Sequence, residues 1–160
     1  MKLKLSSTQR DEIKMYIKNQ LDISPLIENY SIAGEDLSSA IIKRMNRPDE
    51  DISGVILAGA VIGEEGGIVN LNRAIARGCN FRSSRWNGQI WFRKASLNNT
   101  SFKDCFCPYV DFRKADMRGC DICGMVMQVL TPTTMDALFG DDMLQEIAKH
   151  LHVDIIKKNS

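Results

Sequence analysis

VDFRKADMRGCDICG, residues 110–124, returns a bulky apolar residue at every fifth position: Phe112, Met117 and Ile122. The beat extends well beyond this stretch. Going backwards it passes Cys107, Phe102, Leu97 and Phe92, and going forwards it reaches Met127. One extra residue near Gln89 separates that run from Leu71, Ala76, Phe81 and Trp86. A four-residue break at Glu65-Gly66-Gly67-Ile68 separates those in turn from Ile32, Leu37, Ile42, Arg47, Ile52, Leu57 and Ile62. Of these 19 centres only Arg47 is not apolar, whereas a composition of 44% apolar residues gives about 8 by chance.

A second column lies two residues before each centre. From residue 69 it reads Val69, Ala74, Cys79, Ser84, Ile90, Ala95, Thr100, Cys105, Val110, Ala115, Cys120 and Met125, and it is mostly small. Polar residues such as Asn80, Ser96, Asp111, Asp116 and Asp121 sit between the columns. A period of five fits neither the 3.6 of a helix nor the 2.0 of a strand. It fits a chain that turns a corner every five residues, with two columns facing in and three positions facing out.

Cys79-Asn80-Phe81-Arg82-Ser83, Ala115-Asp116-Met117-Arg118-Gly119, Cys120-Asp121-Ile122-Cys123-Gly124 and Glu35-Asp36-Leu37-Ser38-Ser39 carry the pattern small-[Asp/Asn]-[Leu/Phe]-x-x. This closely resembles the pentapeptide-repeat family. The resemblance implies an all-β solenoid, a right-handed quadrilateral β-helix with four fives to a coil. Helical caps are expected at both ends, because a stacked solenoid exposes an open edge unless it is covered. The expected organisation is an N-terminal helical cap over 1–29, the β-helix over 30–130 and a helical tail over 131–160. Departures from the repeat predict irregularity at 45–49, a loop at 64–68 and a one-residue insertion near 89.

Thr8 to Asp11 offers the start of the first helix by side-chain capping, with Ile13, Tyr16, Ile17 and Leu21 on one face and Pro25 ending or bending the segment. In the tail, Met143, Leu144, Ile147 and Leu151 share a face. The stretch from Leu130 to Asp141 is similar to tails that follow bacterial pentapeptide repeats. A cap and a dimerisation helix are both open readings for it.

The chain of 160 residues has a net charge of +1 and 26% charged residues, so bulk charge argues neither for nucleic-acid binding nor for an acidic imitation of it. No signal-peptide h-region and no membrane-length apolar run stand out, and five cysteines fit reduced thiols. A bacterial cytoplasm or a phage virion is the expected location, and no membrane or small-molecule partner is expected. Cys120 and Cys123 are spaced like half a zinc site, yet the frame of five sends Cys120 inward and Cys123 outward, and no second pair completes four ligands. His150 and His152 stand two apart on the tail, hence on different faces. Gly63-Glu64-Glu65-Gly66-Gly67 lacks a lysine and carries like charge against a phosphate. Neither enzyme chemistry nor a cofactor or metal is expected.

The outward positions hold the candidates. Fives about 20 residues apart share a face, which collects Arg73, Arg93, Lys94, Arg113 and Lys114 with Trp91 beside them. This basic ladder suits phosphate or an acidic partner. Phe106, Tyr109, Val126 and Val129 form a second candidate, an apolar face for a terminal helix or another chain.

Three functions follow as expectations. The first is a non-catalytic scaffold presenting flat faces to a protein partner, to itself or to a larger assembly such as a phage particle. The second, implied by gyrase-protecting members of the family, is a DNA mimic that binds a type II topoisomerase. Residues 50–130 hold 10 Lys/Arg against 8 Asp/Glu, the wrong sign for that. The third is direct nucleic-acid contact through the basic ladder. The first is the favoured expectation.

Overall fold

The computed structural model describes residues 2–127. Within them the chain winds into a right-handed quadrilateral β-helix, and its register shows the beat of five directly. Ile41 pairs with Val61, 20 residues on, and Val61 pairs with Arg85, 24 residues on. Ile68 pairs with Gln89 at a spacing of 21, and Gln89 with Tyr109 at 20. The two longer coils are those holding the extra residues at 64–67 and 88.

One face is the parallel ladder β3 (Ile41–Ile42), β4 (Val61–Ile62) and β6 (Arg85–Trp86), continued by bridges from Arg85 to Phe106 and from Phe106 to Val126. The next face is the ladder β5 (Ile68–Asn70), β7 (Gln89–Trp91) and β8 (Tyr109–Asp111), preceded by a bridge from Asn46 to Asn70. The other two faces are held by single bridges, Asp36–Ile56–Asn80–Ser101–Asp121 and Asp51–Ile75–Ser96–Asp116. Parallel rungs of this kind stack about 4.8 Å apart.

Where the residue before a centre is Asp or Asn, it helps to make the corner. Its side-chain oxygen accepts the backbone N–H two residues on: Asp51 from Ser53 at 2.9 Å, Asn80 from Arg82 at 3.1 Å and Asp111 from Arg113 at 3.0 Å. This Asx turn mimics a backbone turn and spares a donor from solvent. The residue two past the centre then takes a left-handed conformation, as at Asp49 (φ 61°), Arg73 (57°), Lys94 (57°) and Lys114 (58°).

Four columns of centres fill the interior. Ile and Leu dominate the early coils, while Phe81, Trp86, Phe92, Phe102 and Phe112 pack ring to ring in the later ones. Phe92 stacks on Phe112 with centroids 5.5 Å apart. The polar members of the small column stay satisfied: Thr100 Oγ1 donates to the Ala76 carbonyl at 2.5 Å, and Trp86 Nε1 to Ser84 Oγ at 2.7 Å.

The irregularity expected at 45–49, a bulge or loop, does not form. Centres Ile42, Arg47 and Ile52 keep their fives, and Arg47 N and Asp49 N donate to the Asn70 and Asn72 carbonyls at 2.8 and 2.9 Å. The Arg47 side chain enters the interior at 2% exposure. It donates to the carbonyls of Tyr30 (2.9 Å) and Ile27 and pairs with Glu50 at 2.8 Å, so the charge is carried by partners inside the column.

The N-terminal segment covers the first coil. β1 (Leu3–Lys4) pairs with β2 (Tyr30–Ser31), and α1 (Ser7–Lys18) lays Ile13, Tyr16 and Ile17 against the core. The cap of α1 is Ser6, whose side chain and that of Gln9 satisfy each other's backbone donors; Thr8 already lies inside the helix. Because α1 stops at Lys18, Leu21 falls outside it and is exposed. Pro25 does not end α1 but sits in the first turn of α2 (Ser24–Ile27), where its missing N–H costs nothing. Arg10 forks onto Glu35 through bonds of 2.8 and 2.5 Å, tying α1 to the first coil.

Candidate functional site

The basic residues expected to share a face do share one, the face of β5, β7 and β8. They fall into two columns. Arg73, Lys94 and Lys114 occupy the left-handed corner position above Asp49, joined by bonds such as Arg73 N to Arg93 O and Lys94 N to Arg113 O. Arg93 and Arg113 stand one residue earlier, above Pro48 and Asn72.

Two carboxylates thread this face. Asp49 accepts a fork from Arg73 at 2.5 and 2.6 Å. Asp111 takes Arg113 Nε at 2.9 Å and Nη2 at 2.7 Å, and Arg93 Nε as well. Burial pushes the Asp111 carboxyl up, but the bonds from Arg113 and Arg93 outweigh it and hold the group down at about 2. The carboxylate is therefore ionised at neutral pH. Five cations and two carboxylates leave a surplus of three positive charges. Lys94 and Lys114, both exposed, have no carboxylate partner among the described residues.

Trp91 lies half-buried beside these columns, with the Arg93 guanidinium 5.7 Å from its ring centroid. A surface groove of about 420 Å³ opens here between Trp91, Tyr109 and the backbone of Gly66 and Gly88.

The register divides the expected apolar face. Phe106 and Val126 sit in the column Ile41–Val61–Arg85–Phe106–Val126, whereas Tyr109 belongs to the next ladder, paired with Gln89. The corner after Cys107 carries the chain from one face to the other between them. Phe106 is partly covered by the Arg85 guanidinium, 4.8 Å from its centroid, while Val126 is 51% exposed. Tyr109 instead stands near Trp91, because that corner places it in the ladder of β7 and β8. Val129, the tail residues Met143, Leu144, Ile147 and Leu151, and both histidines lie outside the described residues.

Cys120 turns inward, its Sγ donating to the Leu97 carbonyl at 2.9 Å, and Cys123 is exposed. Among the described residues no three His, Cys, Asp or Glu side chains gather as metal ligands, and no helix is long and apolar enough to cross a membrane. What the arrangement offers chemically is a flat, positively charged face with an aromatic groove.

Residues 91–124 match the family model for pentapeptide repeats in 8 copies. Among solved structures, the chain is similar to the pentapeptide repeat protein Rfr23 from the cyanobacterium Cyanothece 51142. The two are 11% identical, with 67% of this chain and 88% of that one covered and a TM-score of 0.25. It is similar also to HetL, a pentapeptide repeat protein involved in heterocyst differentiation regulation in the cyanobacterium Nostoc sp. strain PCC 7120. Here identity is 18%, coverage 64% and 50%, and the TM-score 0.25. A third is QnrB1, a plasmid-mediated fluoroquinolone resistance protein, at 12% identity, 78% and 86% coverage and a TM-score of 0.25. No curated protein matches the chain.

Proposed function

We propose that the chain, whose residues 91–124 match the pentapeptide-repeat family model, is a pentapeptide-repeat protein and a non-catalytic scaffold whose β-helix presents its flat faces to a protein partner. One observation supports this above all: the face of Arg73, Trp91, Arg93, Lys94, Arg113 and Lys114 keeps three cations in surplus. Two of its lysines lack a carboxylate partner among the described residues. A face serving only solubility gains nothing from like charges stacked one coil apart, which repel. The inward positions are consumed by packing, which leaves the outward columns for recognition.

Membership of a larger assembly, a phage particle among them, and residence there or in a bacterial cytoplasm belong to the same proposal. So does self-association through Met143, Leu144, Ile147 and Leu151, which solution mass with and without residues 131–160 reads out. The DNA-mimic alternative is disfavoured by the surplus of positive charge over residues 50–130. Absence of gyrase inhibition in a supercoiling assay is the expected result.

The deciding experiment is purification of the untagged protein from its native source. A stoichiometric protein partner is expected, and it should dissociate as salt rises. Recovery of the chain alone, or with nucleic acid that Lys94→Glu with Lys114→Glu releases, counts against the scaffold reading.

A further inference from the structure

We propose that the groove beside Trp91 and Tyr109 is a carbohydrate site that takes one or two neutral pyranose units of a glycan chain. The site goes beyond the scaffold reading and does not depend on it. Two features that break the repeat create the groove. The extra residues at 64–67 and Gly88 fall at the same corner of consecutive coils and pack on each other. Gln89 N donates to the Gly67 carbonyl at 2.9 Å, and Gly88, at φ 76°, has no room for a Cβ beneath the carbonyls of Gly67 and Glu64. Gly66 and Gly88 form one wall. Strand alternation turns Ile90 and Val110 inward and leaves Gln89, Trp91, Tyr109 and Asp111 facing out. Trp91 pairs with Asp111 and Gln89 with Tyr109, so the two aromatics are diagonal neighbours with Cα atoms about 8 Å apart.

Charge selects a neutral ligand. The two charged residues of the lining, Arg93 and Asp111, pair with each other, and Arg113 also donates to Asp111. Glu64 and Glu65 are exposed on the rim. An anion entering the groove meets Asp111 and the two glutamates, and a cation meets Arg93 and Arg113, so neither sign gains.

Pairing spends the charge but not the hydrogen bonds. Arg93 holds Asp111 through Nε, which leaves both of its Nη groups as donors. Among the described residues no hydrogen bond engages the Gln89 amide, Trp91 Nε1 or the Tyr109 hydroxyl. A purely apolar group laid over them strips their water without replacing it. A pyranose instead offers hydroxyls that donate and accept along its edge. Its C–H face, made slightly positive by the ring oxygens, stacks on the negative face of an aromatic ring. The Arg93 guanidinium stands 5.7 Å from the Trp91 centroid, so a donor lies beside the stacking surface. An extended peptide is less well served. Main-chain groups of the floor are spent between coils, Leu71 N on Trp91 O and Phe92 N on Asp111 O at 2.8 Å, whereas strand addition needs an unpaired edge. A volume of about 420 Å³ takes one or two sugar rings, and a surface groove admits a unit that continues into a chain.

The test uses the full chain and saturation-transfer NMR with neutral trisaccharides of glucose, galactose, mannose and N-acetylglucosamine. Comparison ligands are the matching monosaccharides, trigalacturonate, a glucosamine trimer, and the capped neutral peptide Gly-Ser-Phe-Ser-Gly. At least one neutral trisaccharide should bind with a Kd of about 1 mM. Its monosaccharide, the charged trimers and the peptide should each bind at least about fivefold more weakly. Trp91→Ala should weaken the trisaccharide about tenfold, and Lys43→Glu, at a different corner, should not change it. Tyr109→Ser, at an exposed position, repeats the Trp91 arm without risk to the fold. Equal binding of the monosaccharide marks a site for a free sugar and overturns the glycan-chain assignment. No neutral trisaccharide bound at about 10 mM, tighter binding of a charged trimer or the peptide, or indifference to both Trp91→Ala and Tyr109→Ser each overturns the carbohydrate site itself. None of these results bears on whether a protein partner co-purifies, so the scaffold reading is judged separately.

Discussion

The guanidinium of Arg47 donates to the main-chain carbonyl of Ile27 from inside the column that Leu71, Phe92 and Phe112 fill in later coils. Ile27 ends α2, whose last carbonyls have no partner within so short a helix. The interior thus spends one apolar centre on a cation that holds the N-terminal segment to the solenoid. Burial lowers the Arg47 pKa, and Glu50 works against that shift. Arg47→Ala should cost about 3 kcal/mol, because it opens a cavity and leaves the Ile27 and Tyr30 carbonyls without donors. Arg47→Met fills the space but not the bonds and should cost about 2 kcal/mol. Urea melts followed by circular dichroism measure both. A loss under about 0.5 kcal/mol for Arg47→Ala would show that the tie carries no weight.

Asp111 sets a pH dependence of known sign. Its folded pKa, about 2, lies below the roughly 3.9 of an unfolded aspartate. The stabilisation is therefore complete above about pH 4 and disappears as pH falls through 4 toward 2. Arg93 and Arg113 are 47% and 38% exposed, so solvent screening keeps the effect to about 1 kcal/mol. Asp111→Asn should be destabilised by that amount at pH 7, and the gap from the parent should close between pH 4 and 2. An unchanged gap over that range would contradict the clamp.

Much of this architecture was legible in the residues because period five leaves few alternatives. Phe112, Met117 and Ile122 have no common face on a helix or a strand, so the corner-turning coil is the remaining solution. Charge pairing was less legible. Arg93 and Arg113 read as free cations until the ladder set Asp111 beside Trp91, which brings its carboxylate within reach of both guanidinium groups. Arg47 misled for a different reason. A cation at an apolar position reads as a break in the pattern unless the acceptors that satisfy it are known, and Ile27 and Tyr30 lie 20 and 17 residues away.

The thiols should divide sharply by reactivity. Cys123 is exposed, whereas burial pushes Cys79 and Cys120 up to about 12 and Cys107 well above its ordinary value. Since the thiolate is the reactive form, and Cys105, though held below its ordinary value by Cys107 and Ser84, is fully buried out of a reagent's reach, Ellman's reagent at pH 8 should titrate one thiol quickly in the native protein and all five after unfolding. Cys123→Ala should abolish the fast phase. Fast reaction of two or more thiols in the native state would contradict the inward placement of Cys120.

Gly63 tests the corner where the insertions meet. It adopts φ 83°, and a Cβ there would overlap the Asn87 carbonyl oxygen and approach Val69 Cγ2 to 2.9 Å. Gly34, at φ 72°, has nothing within 4 Å of the same position. Gly34→Ala should therefore cost only the left-handed penalty of about 1 kcal/mol, and Gly63→Ala at least about 3 kcal/mol through backbone displacement. Equal losses in urea melts would mean that the close approach relaxes without cost.

Removing the insertions asks whether they serve the fold or the face. Deleting residues 64–67 joins Gly63 to Ile68, and deleting Gly88 joins Asn87 to Gln89. The centres then run Ile62 to Leu71 and Trp86 to Phe92 in unbroken fives, matching Cys107 to Phe112 in the coil above, which needs no extra residue there. The double deletion removes Gln89 N to Gly67 O but leaves every centre with its neighbours, and shortening a surface loop changes closure entropy only slightly. Its urea midpoint should correspond to a stability within about 1 kcal/mol of the parent. A stability loss above about 3 kcal/mol would instead make the insertions part of the fold.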